Sequence, residues 1–177
     1  SSEEMIGNTA AHRRKDFFLF SKCGHTGKSF EPPMEDWDPD MLHKSIDRAL
    51  QRLKTDHLDL LQLHSCGEEM LRQGDVIRVV EQAKAAGKTR FIGYSGDRSA
   101  AKYAVHCGLF DVLQTSVNVA DQEALDLTLV PAFEKDMGVI AKRPVANAAW
   151  RGKDAPVSEY QRPYWERLRK LDYPFLE

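Results

Sequence analysis

Five short, near-continuously apolar runs alternate with amphipathic helical stretches at a mean spacing of about 30 residues. These two features predict an α/β fold in which parallel strands are covered by helices on crossover connections. A third feature is that no Gly-x-Gly-x-x-Gly opens any helix, which argues against a dinucleotide-binding doubly wound sheet. An open sheet and a closed barrel both satisfy the pattern. The 177 residues suit one domain or part of one, and a complete (β/α)8 barrel takes about 250, so five strands would form an incomplete one.

The chain opens as a helix, with Ser1 or Ser2 as cap and Glu3 and Glu4 in the first turn. It starts without Met, so residues 1–177 are read as a single domain cut from a longer chain and incomplete at both ends. Phe17 to Phe20 is the first buried strand, ending at Ser21 to Gly24. The Pro-rich stretch 24–40 is a loop, after which Asp38 caps a helix with Pro39 at its first position. Met41, Leu42, Ile46, Leu50 and Leu53 form that helix's apolar face. Leu58 to His64 is the second strand, and a helix from about Glu69 to Ala86 closes at Gly87. Strands at 89–95, 112–116 and 139–142 then alternate with helices at 97–107 and 122–135. Ser158 to Glu177 reads as a terminal helix and tail.

Lys and Arg total 25 against 27 Asp and Glu, a net charge of −2, so no basic field exists to attract nucleic acid or anionic lipid. No apolar run approaches the ~18 residues of a membrane helix, and the N-terminus is acidic where a secretory signal is basic. Cys23, Cys66 and Cys107 form no CxxC pair and leave an odd thiol, which predicts a reducing, cytoplasmic setting. Composition leaves the oligomeric state open. A five-strand fragment with two free sheet edges would favour a homo-oligomer.

In parallel βα architectures the chemistry lies at the carboxyl ends of the strands. The polar residues ending the apolar runs are Lys22, His64, Ser95, Gln114 to Asn118, and Lys142-Arg143. Lys22 and His64 end successive strands, which puts an ammonium and an imidazole on one rim. That pair suits a reaction that builds negative charge on an oxygen, such as carbonyl reduction. Gly27-Lys28-Ser29 is no phosphate loop, because the position that needs the first Gly is Lys22. Cys23-Gly24-His25 and His64-Ser65-Cys66 form a mirrored pair able in principle to bind zinc. One-residue spacing falls short of the usual two to four, so no metal is expected. Trp150, Tyr160, Tyr164 and Trp165 either line a substrate pocket or pack the terminal helix onto the body.

The segment Ser45-Ile46-Asp47-Arg48-Ala49-Leu50-Gln51-Arg52-Leu53-Lys54-Thr55-Asp56-His57-Leu58-Asp59-Leu60-Leu61-Gln62-Leu63-His64 resembles the helix-to-strand signature of the aldo-keto reductases, which ends in their catalytic His. Leu19-Phe20-Ser21-Lys22 is similar to the strand presenting their catalytic Lys. Gly87 to Ser95 and Gly138 to Pro144 resemble the strands beside the cofactor. The likeness runs from Ser1 to about Pro144 and implies a partial (β/α)8 TIM-type barrel with about five parallel strands. It further implies an oxidoreductase that reduces an aldehyde or ketone to an alcohol by hydride transfer from NADP(H), or NAD(H). Lys22 and His64 would be catalytic, with His64 orienting the carbonyl and Lys22 lowering the pKa of a proton-donating Tyr. Ser95 and Gln114 would hold the carboxamide. Lys142, with Arg143 beside it, would take the place of a ring that stacks on the nicotinamide.

The chain also departs from the family. The catalytic Asp and Tyr belong upstream of the segment that Ser1 to Gly7 resembles, the Asn that usually follows Ser95 is Gly96, and no 2′-phosphate motif is visible. These departures motivate a rival reading, a non-catalytic barrel that binds a nucleotide or partner.

Overall fold

The computed structural model describes residues 1–152, 154–156 and 158–173. Five strands, β1 (Phe20–Cys23), β2 (Leu58–His64), β3 (Thr89–Ser95), β4 (Val112–Ser116) and β5 (Gly138–Lys142), form one sheet in sequence order. Every pairing is parallel. The helices are α1 (Ser2–Thr9), α2 (Pro39–Leu53), α3 (Glu68–Gln73), α4 (Asp75–Ala85), α5 (Arg98–His106), α6 (Val130–Glu134) and α7 (Arg162–Leu171). The sheet is curled: Lys142 on one edge strand is close enough to depress the pKa of Lys22 on the other, although three strands stand between them.

Pairing register sorts the side chains into two faces. Cys23, Leu61, Leu63, Ile92, Tyr94 and Leu113 join one buried cluster with Ile46, Leu50, Val79, Val80 and Ala104 of the covering helices. Each fully buried Leu or Ile there contributes roughly 1.5–3 kcal/mol relative to exposure. The opposite face carries Lys22, Gln62, His64, Ser95, Gln114 and Lys142, so the polar strand-end residues share the concave side.

Helix α2 begins as expected, with the Asp38 carboxylate accepting from Met41 N at 3.0 Å and Pro39 in its first turn. Three sequence expectations need correction. The first strand starts at Phe20 rather than Phe17. Ahead of it Arg14 donates to Phe17 O, and Leu19 is tied to β2 twice, its N–H donating to the Asp59 carboxylate and its carbonyl accepting from Asp59 N at 2.9 Å. The helix expected over 69–86 is two helices, broken at Gly74, whose φ of +87° belongs to the left-handed region. The helix expected over 122–135 begins as a π-helical stretch, Leu125–Leu129, before α6. Pro131 lacks the N–H that an α-ladder needs there, and Val130 N instead reaches back five residues to Leu125 O.

The expected terminal segment contains α7, while residues 174–177 of the tail lie outside the described residues. Tyr164 and Leu168 of α7 pack on Ala120, Ala146 and Ala149, so Tyr164 docks the helix. Its hydroxyl accepts from Arg143 at 3.3 Å and donates to Asp121 at 3.5 Å. No helix among the described residues is long and apolar enough to cross a membrane.

Candidate active site

Lys22 pairs in register with Gln62, and His64 with Ser95, which in turn pairs with Gln114. One curled rim therefore carries all four polar strand ends. Burial lowers the Lys22 pKa, and the neighbouring Lys142 ammonium lowers it further. Burial is also the main cause of a lowered His64 pKa, reinforced by Lys22, His25 and Lys142. His64 is thereby biased to the neutral imidazole, which donates through one nitrogen and accepts through the other.

Ser95 is buried at 2% exposure and Gln114 is half-buried beside it. Among the described residues neither the Ser95 hydroxyl nor the Gln114 amide has a hydrogen-bond partner. They form an adjacent donor and acceptor set that matches the needs of a primary carboxamide. A side chain at Gly96 has no room, because its Cβ would lie 2.3 Å from the Tyr94 hydroxyl. That hydroxyl is buried and donates to Cys66 O at 2.6 Å, so Gly96 is the complement of a filled position.

Lys142 and Arg143 are not free rim charges. Lys142 Nζ lies 3.0 Å from Asp97 Oδ2. Asp97 also accepts from Thr115 Oγ1 at 3.0 Å and from Ser116 N at 2.8 Å. Burial pushes the Asp97 carboxyl up, but these hydrogen bonds and Lys142 outweigh it and hold the group below the usual carboxylate range. Arg143, in the left-handed region at φ +56°, lines a cavity of about 250 Å³ with Arg98, Asp97, Asp121 and Tyr164.

Sequence reasoning missed three residues at this rim. Asp97 reads as the first residue of the helix expected over 97–107, yet its carboxylate makes no cap hydrogen bond and serves β4 and β5 instead. The nearby Lys142, which needed a counter-charge, was the available signal. Gln62 reads as one residue of an apolar strand, but its Nε2 is a buried donor with no partner among the described residues. His25 reads as half of a metal pair, whereas its ring packs edge-on against His64, centroids 5.7 Å apart. The mirrored cysteines do not converge with these imidazoles. Cys23 lies in the helix-side core donating to Gln62 O, and burial pushes its thiol up to about 12. Among the described residues no three His, Cys, Asp or Glu side chains cluster as a metal site.

The comparisons with known proteins extend over the same elements. L-galactose dehydrogenase of Arabidopsis thaliana is 31% identical over 161 residues, which is 82% of this chain and 47% of the relative. The 6-dehydroglucose reductase of Novosphingobium aromaticivorans is 40% identical over 98 residues, 53% of this chain and 30% of the relative. The chain thus spans less than half the length of these curated relatives. An aldo-keto reductase of Klebsiella pneumoniae, solved in complex with NADP and acetate, superposes with a TM-score of 0.66 at 25% identity, covering 87% of this chain and 52% of that one. The profile of the Aldo/keto reductase family matches residues 1–174, and the chain belongs to that family.

Proposed function

We propose that the protein reduces an aldehyde or ketone to an alcohol with NADPH, or NADH, as hydride donor, and that this chain supplies the rim where carbonyl and nicotinamide meet. The observation that carries the reading is the convergence of Lys22, His64, Ser95 and Gln114 on the carboxyl ends of β1 to β4. The Ser95 hydroxyl and Gln114 amide, without a partner among the described residues, fit the nicotinamide carboxamide, with Lys142 and Arg143 flanking it. When bound, the nicotinamide supplies the hydride. Both relatives are named for sugars, and the Klebsiella structure contains NADP, which supports a small hydroxylated carbonyl as substrate and NADP(H) as cofactor here.

In this reading neutral His64 donates its N–H to the carbonyl oxygen, fixing its orientation and stabilising the charge that develops there. Lys22 stands one strand away and supplies positive charge. A free tyrosine titrates near ~10, so the family's proton-donating tyrosine needs such a neighbour to work at neutral pH. The three free cysteines suit a cytoplasmic, reducing setting.

The test is NADPH oxidation by the full-length protein over a panel of short aldehydes. Lys22→Met and His64→Phe should each lower kcat/KM by about 100-fold or more. Undiminished turnover in either variant would remove that residue from the mechanism.

A further inference from the structure

A second imidazole stands beside the first. His25 follows β1 on the same rim, its ring 5.7 Å from that of His64 and 4.8 Å from that of Trp37, both in edge-on geometry. The loop that carries it is anchored at several points. Asp36 Oδ1 accepts from Gly27 N at 2.8 Å, and Thr26 Oγ1 donates to Ser45 Oγ at 3.1 Å. The other Asp36 oxygen lies 3.6 Å from His25 Nδ1. Nδ1 is thus the ring nitrogen turned toward a carboxylate, and Nε2 is the one left for a ligand. His25 is about half exposed, and among the described residues its ring has no hydrogen-bond partner.

Resting on the reading of this rim as a carbonyl-reducing site, the geometry points to His25 as a specificity residue that binds a hydroxyl on the carbon next to the reacting carbonyl. Its preferred substrates are then α-hydroxy carbonyl compounds, the class that includes small sugars. Neighbouring oxygens on such a molecule are about one hydrogen-bond length, ~2.8 Å, apart. Two imidazoles at 5.7 Å can therefore each take one of them, His64 the carbonyl and His25 the hydroxyl. A hydroxyl both donates and accepts, so it pairs with Nε2 whether or not that nitrogen carries a proton. A C–H at the same place leaves the imidazole without its partner, and that penalty generates discrimination.

The experiment compares lactaldehyde with propanal, which differ only in the hydroxyl next to the carbonyl, using the full-length protein and NADPH. His25→Phe retains a ring against Trp37 and His64 but removes both nitrogens. The ratio of kcat/KM for lactaldehyde over propanal should fall by about tenfold in His25→Phe, the size of one lost hydrogen bond. His25→Gln, which keeps a polar end, should recover part of it. A ratio unchanged in His25→Phe, with both aldehydes turned over, overturns the inference and leaves the reductase reading intact. Turnover of neither aldehyde by the unmodified protein overturns that reading and the inference with it.

Discussion

At the level of single residues, the rim is governed by which positive charges are matched. Lys142 is met by Asp97 at 3.0 Å, yet its field still reaches Lys22 and His64 and lowers both. Removing a neighbouring positive charge makes protonation easier, so Lys142→Met should raise the His64 pKa. A pH titration of the imidazole resonances by NMR checks the sign, and a His64 pKa that stays or falls would show that Lys142 does not act on it. Lys22 and His64 were legible in the sequence because each ends an apolar run, where strand geometry alone dictates a rim position. Asp97 was not, because an acid before a helix is ordinarily a cap, and only the fold reveals that its oxygens turn toward β4. Gly96 was legible as a departure but not as a consequence. Its cause is the buried Tyr94 hydroxyl, two residues earlier on the helix-facing side.

At the level of elements, the strand and helix order followed the hydrophobic pattern, while boundaries moved where side chains took a share of the pairing. Asp59 shows how. It is buried at the start of β2 and accepts from Leu19 N at 2.8 Å and from Arg14 at 2.7 Å, with Arg90 at 3.3 Å. It thereby ties the entry to β1 onto β2, so the apolar run Phe17 to Leu19 leads into the strand without belonging to it. Burial raises the Asp59 carboxyl, but the Leu19 N–H and the two guanidinium groups outweigh it, leaving the pKa below its ordinary 3.8. A carboxylate with a depressed folded pKa stabilises the protein above the unfolded value, and that contribution is lost as the pH falls through the folded one. Asp59→Asn should cost about 2–4 kcal/mol at neutral pH, since it leaves Arg14 without its charge partner. It should also flatten the loss of stability below pH ~4. Urea unfolding across pH measures both, and an unaltered acid limb would separate Asp59 from the acid response.

At the level of the whole molecule, five parallel strands curl far enough to bring the ends of β1 and β5 into electrostatic contact. The concave face stays open, with Phe20 and Phe91 about half exposed, and Val139 on β5 is similarly uncovered. The periodicity of the sequence announced this parallel architecture, but period alone cannot distinguish a flat sheet from a curled one. The resemblance supplied that distinction, and the position of Lys142 relative to Lys22 supplies its physical counterpart. The candidate site depends on this curl, because Ser95 and Gln114 serve the same ligand as Lys22 and His64 only if the rim turns inward. Titration of the full-length protein with NADPH, followed by quenching of tryptophan fluorescence, tests this most directly when repeated with the Ser95→Ala, Gln114→Ala double variant. Saturable binding whose Kd rises about tenfold or more in the double variant, as expected for two lost hydrogen bonds, is the predicted result. Binding of equal strength in both proteins, or no binding by the unmodified one, would contradict it.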